Sequence, residues 1–525
     1  MSNYKKFGPL VGAIDEGTSS ARFIIFKAES SEVVAMHQKE LEQRFPQEGW
    51  VEQDPYAILE VVRTCIEKAV EKLIILGGTP KDIIAVGVTN QRETTIVWDK
   101  NTGKPLHNAI VWLDMRTSST IDKLLDTPLC GLPLSPYFSA VKLRWLCDNV
   151  DAVKIAMKQG TCCFGTVDTW IIWNLTGEHV TDVTNASRTM LMNIENLTWD
   201  PLLLKFFEVP KSVLPTIKSS SEVYGYISEE PLTGIPISGC LGDQQAALVG
   251  QMCLQKGQAK ATYGTGCFVL YNTGDVQVNS SRGLLTTVAY QFGSDSPPVY
   301  ALEGSVAVAG AALGWLRDNI GLLDNAKESQ DLAEKATENG SVVFVPAFSG
   351  LYAPYWRQDA RGVICGITED TNTNHIVKAA LEAVCYQVRD ILDAMNEDCG
   401  IPLQLLKVDG GMTSNAVVMQ IQADLIGINV IKAGFTESTA LGAALAAYWG
   451  VEKKQISPIP MSDGVTYIPS LSDDERDMKY KQWKMAIVSF LASPAYLFLY
   501  AFVDNFKYFN YTLKLLTCLH SKYLF

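Results

Sequence analysis

Cysteine and histidine are too sparse and too scattered in this sequence to build a disulfide framework or a zinc site. The twelve cysteines include one close pair, Cys162-Cys163, and form no C-x-x-C motif, and the five histidines show no ligand-like spacing. Secreted disulfide-rich folds and structural zinc sites depend on such regular spacing. We therefore expect reduced thiols, no structural zinc and a cytoplasmic location.

Positive charge is also in short supply. Lysine and arginine total 44 against 57 aspartate and glutamate residues, which gives a formal net charge of −13. Because contacts to phosphates dominate nucleic-acid affinity, this composition argues against a nucleic-acid partner. It does not exclude a small anionic ligand, since backbone amides and a few arginines can hold one.

Two common signatures of phosphate-transferring enzymes are absent. The chain contains no G-x-x-x-x-G-K-[ST] phosphate loop, and it has neither the H-R-D nor the D-F-G motif of protein kinases. These absences exclude the P-loop and protein-kinase modes of nucleotide binding.

Long apolar runs are rare as well. Residues 487–503 form an uncharged run, which Pro494 interrupts. This run is slightly short for a membrane-spanning helix, which needs about 20 residues. A tail anchor, an interfacial helix and a helix packed on the body of the protein are all compatible with it.

A long alternation of strand and helix patterns is present. The 525 residues exceed what one ordinary core can bury, and the alternation predicts α/β layers. We predict an N-terminal domain over 8–252, a C-terminal domain over 253–452, and a linker with an apolar tail over 453–525.

Hydroxyl-rich and glycine-rich turns between predicted strands are candidate phosphate sites. The turn after the first strand supplies hydroxyls, a cation and a carboxylate that can hold Mg²⁺ through water: Thr18, Ser19, Ser20, Arg22 and Asp15. Thr265-Gly266 forms a second such turn, and Gly410-Gly411 opens a helix. Ordinary solvated loops are the alternative interpretation.

Three further segments carry groups for chemistry on a hydroxylated substrate. Asp243 lies between glycine and glutamine in an apolar neighbourhood, where it can accept a proton during phosphoryl transfer. Arg92-Glu93 follows a predicted strand and can bind two neighbouring hydroxyls. Trp112 and Tyr137 can pack around a small substrate. A turn aspartate, a structural salt bridge and core aromatics are the respective alternatives.

Taken together, these segments resemble the FGGY carbohydrate kinase family over about residues 8–450. Both family signatures match, at 138–149 and 362–382. The other matching segments are GWVEQDP (49–55), NQRETTIVWD (90–99), NAIVW (108–112), PYFSAVKLRW (136–145), FGTVDTW (164–170), TDVTNASRTML (181–191), GDQQAAL (242–248), YGTGCF (263–268) and VDGGMTSN (408–415). The resemblance implies an α/β fold of two actin/hexokinase-like, ribonuclease H-like domains with a deep cleft between them.

The resemblance also implies a role for individual residues. Asp243 is the implied catalytic base, and Asp15 and Asp243 are implied to orient Mg²⁺. The implied substrate-binding residues are Arg92, Glu93, Trp112, Tyr137, Asp243, Gln244 and Phe268. The implied nucleotide-contacting residues are Thr18, Ser19, Ser20, Arg22, Thr265, Gly310, Gly411 and Asn415.

The implied activity is phosphorylation of glycerol by ATP to sn-glycerol 3-phosphate, in glycerol catabolism and lipid precursor supply. A kinase for another polyol or ketose, and a catalytically impaired membrane-associated binding protein, are the alternatives. The resemblance further implies a homo-oligomer, and it gives the tail a precedent at the mitochondrial outer membrane. Three features depart from the family pattern: Glu16 replaces a glutamine, the segment between Arg116 and Tyr137 is shorter than usual, and the hydrophobic tail after Ile487 is atypical.

Overall fold

Two large β-sheets, each flanked by helices, organise the protein. The computed structural model describes residues 7–125, 134–336, 341–348, 350–357, 359–434, 437–454 and 464–491. A six-stranded sheet lies in the N-terminal half of the chain and a seven-stranded sheet in the C-terminal half.

The N-terminal half assembles its sheet from strands that are far apart in the chain. Its strands are β1 (Leu10–Glu16), β2 (Ser20–Lys27), β3 (Val33–Glu40), β4 (Glu52–Gln53), β5 (Ile83–Asn90), β6 (Ile96–Asp99), β7 (Ala109–Ile110), β8 (Cys162–Gly165), β9 (Val180–Asp182), β10 (Met192–Asn193), β11 (Thr198–Trp199), β12 (Thr216–Lys218), β13 (Gly225–Tyr226) and β14 (Pro236–Gly242). Its helices are α1 (Pro55–Ile75), α2 (Ser118–Leu125), α3 (Ser139–Asn149), α4 (Asp151–Gln159), α5 (Val167–Thr176), α6 (Val183–Ser187), α7 (Pro201–Phe206) and α8 (Asp243–Gly250). The main sheet has the order β13-β14-β5-β1-β2-β3, in which β1, β2 and β3 are antiparallel and β1, β5 and β14 are parallel.

The C-terminal half repeats this plan. Its strands are β15 (Ala259–Tyr263), β16 (Cys267–Gly274), β17 (Leu285–Tyr290), β18 (Val299–Val306), β19 (Val343–Val345), β20 (Val363–Cys365), β21 (Leu405–Asp409), β22 (Asn429–Lys432) and β23 (Val465–Tyr467). Its helices are α9 (Gly310–Asp318), α10 (Glu328–Lys335), α11 (Thr373–Cys399), α12 (Ala416–Ile426), α13 (Ser438–Glu452) and α14 (Asp473–Leu491). The sheet has the order β17-β18-β16-β15-β21-β22-β23, again with a central strand parallel to two later ones.

Local sequence explains how these elements form. All seven residues of β1 are buried, as expected for a central strand covered on both faces. Helix α1 begins where Asp54 accepts a hydrogen bond of 2.9 Å from the amide of Tyr56, and Pro55 occupies its first turn. The cap and the proline therefore fix the entry of α1 beside the sheet.

Helices α8 and α13 join the two halves. Both belong to one apolar cluster that also contains residues of β1, β5 and β18. Glycines permit backbone contact at this junction, since a Cβ on Gly442 of α13 would lie 1.8 Å from the carbonyl oxygen of Ala246. Helix α13, which falls in the predicted C-terminal domain, thus packs against the N-terminal sheet.

The predicted α/β fold of two related domains with a cleft is confirmed, but the predicted linker is too long. Strand β23 pairs with β22, and α14 inserts Trp483 and Ile487 into the C-terminal core. The polar composition of 454–474 gave no sign of the three-residue edge strand β23. The packing of Trp483 could not be predicted either, because its partner, Asp390, is far away in sequence. The apolar tail lies outside the described residues from 492 onward. Within the described part of the chain, no helix is long and apolar enough to cross a membrane.

Candidate active site

The carboxyl ends of three parallel strands bring the predicted site residues together. In the sheet register Asp15 of β1 pairs with Thr89 of β5, and Gly242 of β14 pairs with Asn90. Ligands of α/β sheets bind at such carboxyl ends. The residues that follow β5 and β14, Arg92 and Asp243, therefore meet at one edge.

A cavity of about 160 Å³ lies at this edge, between the two halves. Seven of its lining residues are the predicted substrate-binding set, and three are predicted nucleotide contacts. The full lining is Thr18, Ser19, Arg92, Glu93, Trp112, Tyr137, Asp243, Gln244, Thr262, Gly264, Thr265, Gly266 and Phe268. All the predicted substrate-binding residues and part of the predicted nucleotide-contacting set thus lie around one cavity.

Asp243 is the first residue of α8 and sits beside Arg92. Its Oδ1 lies 3.0 Å from Nε of Arg92, and its side chain remains 26% exposed. A helix N-terminus favours a negative charge. Gly242 allows the close approach of Arg92, because a Cβ there would lie 2.6 Å from Cδ of that arginine. The carboxylate is therefore held next to the cavity while one face stays accessible to a substrate hydroxyl.

Arg92 and Glu93 belong to a buried cluster of two arginines and two glutamates. Glu303 of β18 accepts hydrogen bonds of 2.5 and 2.9 Å from the two terminal nitrogens of Arg92. Arg188 donates to Glu93 at 2.7 Å and lies 3.4 Å from Glu303. Buried charges are tolerated when they are paired in this way.

Glu93 is held in an uncommon backbone conformation. Its φ of 59° places it in the left-handed region, which non-glycine residues rarely adopt. Such a conformation costs of the order of 1–3 kcal/mol and persists where the surroundings impose it, often at functional sites. Here it accompanies the sharp turn that presents Arg92 and Glu93 to the cavity.

Three aromatic rings form the apolar wall. Trp112 meets Tyr137 and Phe268 edge to face, with ring centroids 5.9 and 5.7 Å away. The indole nitrogen of Trp112 donates to Oγ1 of Thr18 at 2.9 Å. The aromatic wall is therefore joined to the hydroxyl-rich turn after β1, which contains Thr18.

The predicted nucleotide-contacting residues fall into two groups. Thr18, Ser19 and Thr265 line the cavity. The other five lie outside its described lining: Ser20, Arg22, Gly310, Gly411 and Asn415. Ser20 accepts from Gln38 at 3.0 Å, and Asn415 caps α12 through the amide of Val418 at 3.2 Å. The side chains of these two residues are thus engaged within the protein.

Asp15 offers a carboxylate suited to a metal ion. Burial, together with the charges of Glu437 and Asp243, raises the pKa of Asp15 to about 6, although Arg22 opposes the shift. Negative charge from neighbouring carboxylates favours a nearby cation, and oxygen ligands suit Mg²⁺. Asp15 and Asp243 therefore fit the predicted metal role.

Glu16, the residue that departs from the family pattern, is not accessible to solvent. Its side chain is fully buried, and the amide of Gln91 donates to its two oxygens at 3.2 and 3.3 Å. Burial raises the pKa of Glu16 well above its usual value. A protonated Glu16 would be close in shape to a glutamine and would add no charge at this position.

Sequence reasoning missed several residues of the site. Glu303 and Arg188 complete the charge cluster, and buried Lys260 donates to the side-chain oxygen of Gln244 and to Thr262. A glutamate inside the apolar strand β18 was a usable signal, because a buried carboxylate needs a partner. The partner itself is 211 positions away, so the sequence pattern does not identify it.

Comparison with known proteins places this site in a family. The N-terminal domain of the FGGY family of carbohydrate kinases matches residues 10–250, and its C-terminal domain matches residues 259–451. A probable glycerol kinase of Dictyostelium discoideum is 50% identical across 91% of this chain and 98% of its own length. A glycerol kinase of Arabidopsis thaliana is also 50% identical, across 91% of this chain and 97% of its own.

A solved structure gives the same result. The crystal structure of Plasmodium falciparum glycerol kinase with ADP is similar to this one with a TM-score of 0.82 and 39% identity, covering 93% of this chain and 100% of that one. The family models, the sequence relatives and this structure agree over both halves of the chain. The chain therefore belongs to the FGGY family of carbohydrate kinases.

Proposed function

We propose that this protein transfers the γ-phosphoryl group of ATP to glycerol, forming sn-glycerol 3-phosphate and ADP. The carrying observation is the small cavity in which Asp243, the Arg92-Glu93 pair and three aromatic rings converge. The relatives named as glycerol kinases support the choice of glycerol, as does the ADP-bound structure. A role in glycerol catabolism and lipid precursor supply follows from this product.

In this proposal, each side of the cavity has its own role. Arg92 and Glu93 bind neighbouring hydroxyls, since one donates and the other accepts, while Trp112, Tyr137 and Phe268 contact the carbon chain. Asp243 takes the proton of the terminal hydroxyl of glycerol while the oxygen of that hydroxyl bonds to the γ-phosphorus. The bond from that phosphorus to the β-phosphate oxygen breaks, and ADP leaves. Phosphoryl transfer of this kind relies mainly on positioning and charge.

The phosphate side is formed by the two hydroxyl-rich turns. Thr18 and Ser19 face the same cavity as Thr265, and Arg22 lies behind them with its guanidinium near Asp15. Mg²⁺ held through Asp15 and Asp243 would neutralise charge on the phosphates. Gly310, Gly411 and Asn415, which lie outside the cavity lining, contact the nucleotide in this proposal.

An acceptor panel tests the function directly. Purified protein with Mg·ATP is given glycerol, dihydroxyacetone, erythritol, xylulose or no acceptor, and ADP release is measured. We expect turnover to be fastest with glycerol and slow without acceptor. Fastest turnover with xylulose or erythritol would replace glycerol by a larger acceptor, whereas ATP binding without turnover on any acceptor would favour an impaired binding protein.

The cellular setting is a separate proposal. We infer a cytoplasmic homo-oligomer whose residues 492–525 associate with a membrane, such as the mitochondrial outer membrane. The support is the uncharged run in 487–503 and the precedent within the family.

A further inference from the structure

Glu303 joins the C-terminal half of the protein to the residues that line the cavity in the N-terminal half. It lies on β18 of the C-terminal sheet, with its side chain fully buried. Both of its carboxylate oxygens accept hydrogen bonds from Arg92, which follows β5 of the N-terminal sheet. A two-bond contact of this kind fixes the plane of a guanidinium as well as its position.

The remaining contacts of Arg92 show which edge is left for a ligand. Its Nη1 also donates to Gln245 at 3.3 Å, so both hydrogens on this nitrogen are engaged. Its Nη2 donates to Glu303, and its Nε faces Asp243 at 3.0 Å. The edge formed by Nε and the second Nη2 hydrogen therefore points toward the catalytic carboxylate.

The charge balance around Glu303 keeps it ionised. Burial raises its pKa, but Arg188 and Arg92 outweigh this effect and hold the pKa below its ordinary value. Arg188 in turn donates to Glu93. Removing the charge of Glu303 would leave Arg188 paired with Glu93 and would leave Arg92 facing Asp243 as its remaining close carboxylate.

We propose that Glu303 is a positioning residue that orients Arg92 for the acceptor hydroxyl from the opposite half of the protein. The inference rests on the proposed function, in which Arg92 binds the acceptor. If Glu303 has this role, the affinity for the acceptor depends on how the two halves pack. The reason is that Glu303 belongs to the C-terminal half and Arg92 to the N-terminal half.

A second bridge between the halves provides a contrast. Glu437 at the start of α13 accepts a hydrogen bond of 2.7 Å from Arg22. This pair lies on the phosphate side of the cleft, beside Asp15. The two bridges should therefore affect different substrates. Loss of Glu303 should weaken binding of the acceptor, and loss of Glu437 should weaken binding of the nucleotide.

Steady-state kinetics of Glu303→Gln test the proposal, with glycerol and ATP varied in turn. We expect the KM for glycerol to rise about tenfold or more and the KM for ATP to change less than about twofold. Calorimetric titration of glycerol should show the same loss of affinity without any turnover. Equal increases in both KM values, or an unchanged glycerol affinity, would overturn the proposal.

Two controls separate positioning from folding. Asp390→Asn removes another buried carboxylate, which accepts from Tyr355 and Trp483 away from the cleft, and should lower the melting temperature without changing either KM. Glu303→Asp keeps the charge, and we expect it to fold and to weaken glycerol binding less than Glu303→Gln.

A double-mutant cycle with Arg92→Lys completes the experiment. If Glu303 acts through Arg92, the losses in glycerol affinity will be strongly non-additive. Additive losses would contradict the proposal. Wild-type turnover tests the proposed function separately, and if the panel selects another acceptor, the same cycle is measured with that acceptor.

Discussion

At the scale of single residues, a buried lysine holds the aromatic wall of the cavity. The ammonium of Lys142 donates to the carbonyl oxygens of Pro136 and Tyr137 at 2.7 and 2.6 Å and lies 3.5 Å from that of Trp112. It thus connects two segments that are distant in sequence. Motif patterns identified Trp112 and Tyr137, but the sequence could not reveal this shared support, because it depends on contacts between separate loops.

The titration of Lys142 gives a prediction at this scale. Burial lowers its pKa to about 7, although Glu93 and Asp114 oppose the shift and Arg116 adds to it. Between this value and the pKa of an unfolded lysine, the unfolded chain binds the additional proton. The free energy of unfolding of the wild type, relative to Lys142→Met, should therefore rise by about 1 kcal/mol per unit from pH 7 to pH 9.

Denaturant unfolding of both proteins across this pH range measures the effect. The matched variant cancels the titration of all other groups that behave alike in the two proteins. A stability difference that stays constant or falls with pH would show that Lys142 keeps its proton in the folded state.

At the scale of elements, the contacts of α13 with α8 and with β14 depend on glycine. A Cβ on Gly250 would lie 1.9 Å from the carbonyl oxygen of Ser438, and one on Gly450 would lie 2.1 Å from that of Ser238. The alternation of strand and helix patterns predicted the α/β layers of the protein. It could not predict which helix crosses to the other sheet, because an apolar face does not specify its partner.

We predict that Gly442→Ala destabilises this junction. The added methyl group would overlap the backbone of α8, and overpacking of this kind typically costs about 1–3 kcal/mol. Gly314→Ala in α9 is the matched control, since a Cβ added at that position would meet nothing within 4 Å. Alanine there should leave stability unchanged or raise it by up to about 1 kcal/mol.

Thermal unfolding of Gly442→Ala, Gly314→Ala and the wild type tests this prediction. Equal melting temperatures for Gly442→Ala and the wild type would mean that the two helices can separate without cost.

At the scale of the whole molecule, α14 belongs to the folded body and not to a linker. Trp483 donates to buried Asp390 of α11 at 2.9 Å, and its ring stacks on Tyr386 with centroids 5.2 Å apart. The sequence predicted a linker and an apolar tail over 453–525, because residues 454–474 contain proline, serine and aspartate and residues 487–503 are uncharged. The burial of Trp483 is a tertiary property that composition does not encode.

Two truncations test this division of the C-terminal region. A chain ending at Leu491 should keep the melting temperature and turnover of the wild type, while losing any co-sedimentation with phosphatidylcholine vesicles. A chain ending at Ser470 removes α14 and should unfold at a clearly lower temperature. Vesicle binding that survives the first truncation would locate membrane association elsewhere, and wild-type stability after the second would contradict the packing of α14.

In the proposed reaction, Asp243 accepts the proton of glycerol as ATP is cleaved. The most direct test compares the rates at which the wild type and Asp243→Asn form sn-glycerol 3-phosphate from glycerol and Mg·ATP, with ATP affinity measured in parallel. We predict that the variant binds ATP nearly as well but turns over at least about a hundredfold more slowly. Turnover close to that of the wild type would contradict the assignment of Asp243 as the base.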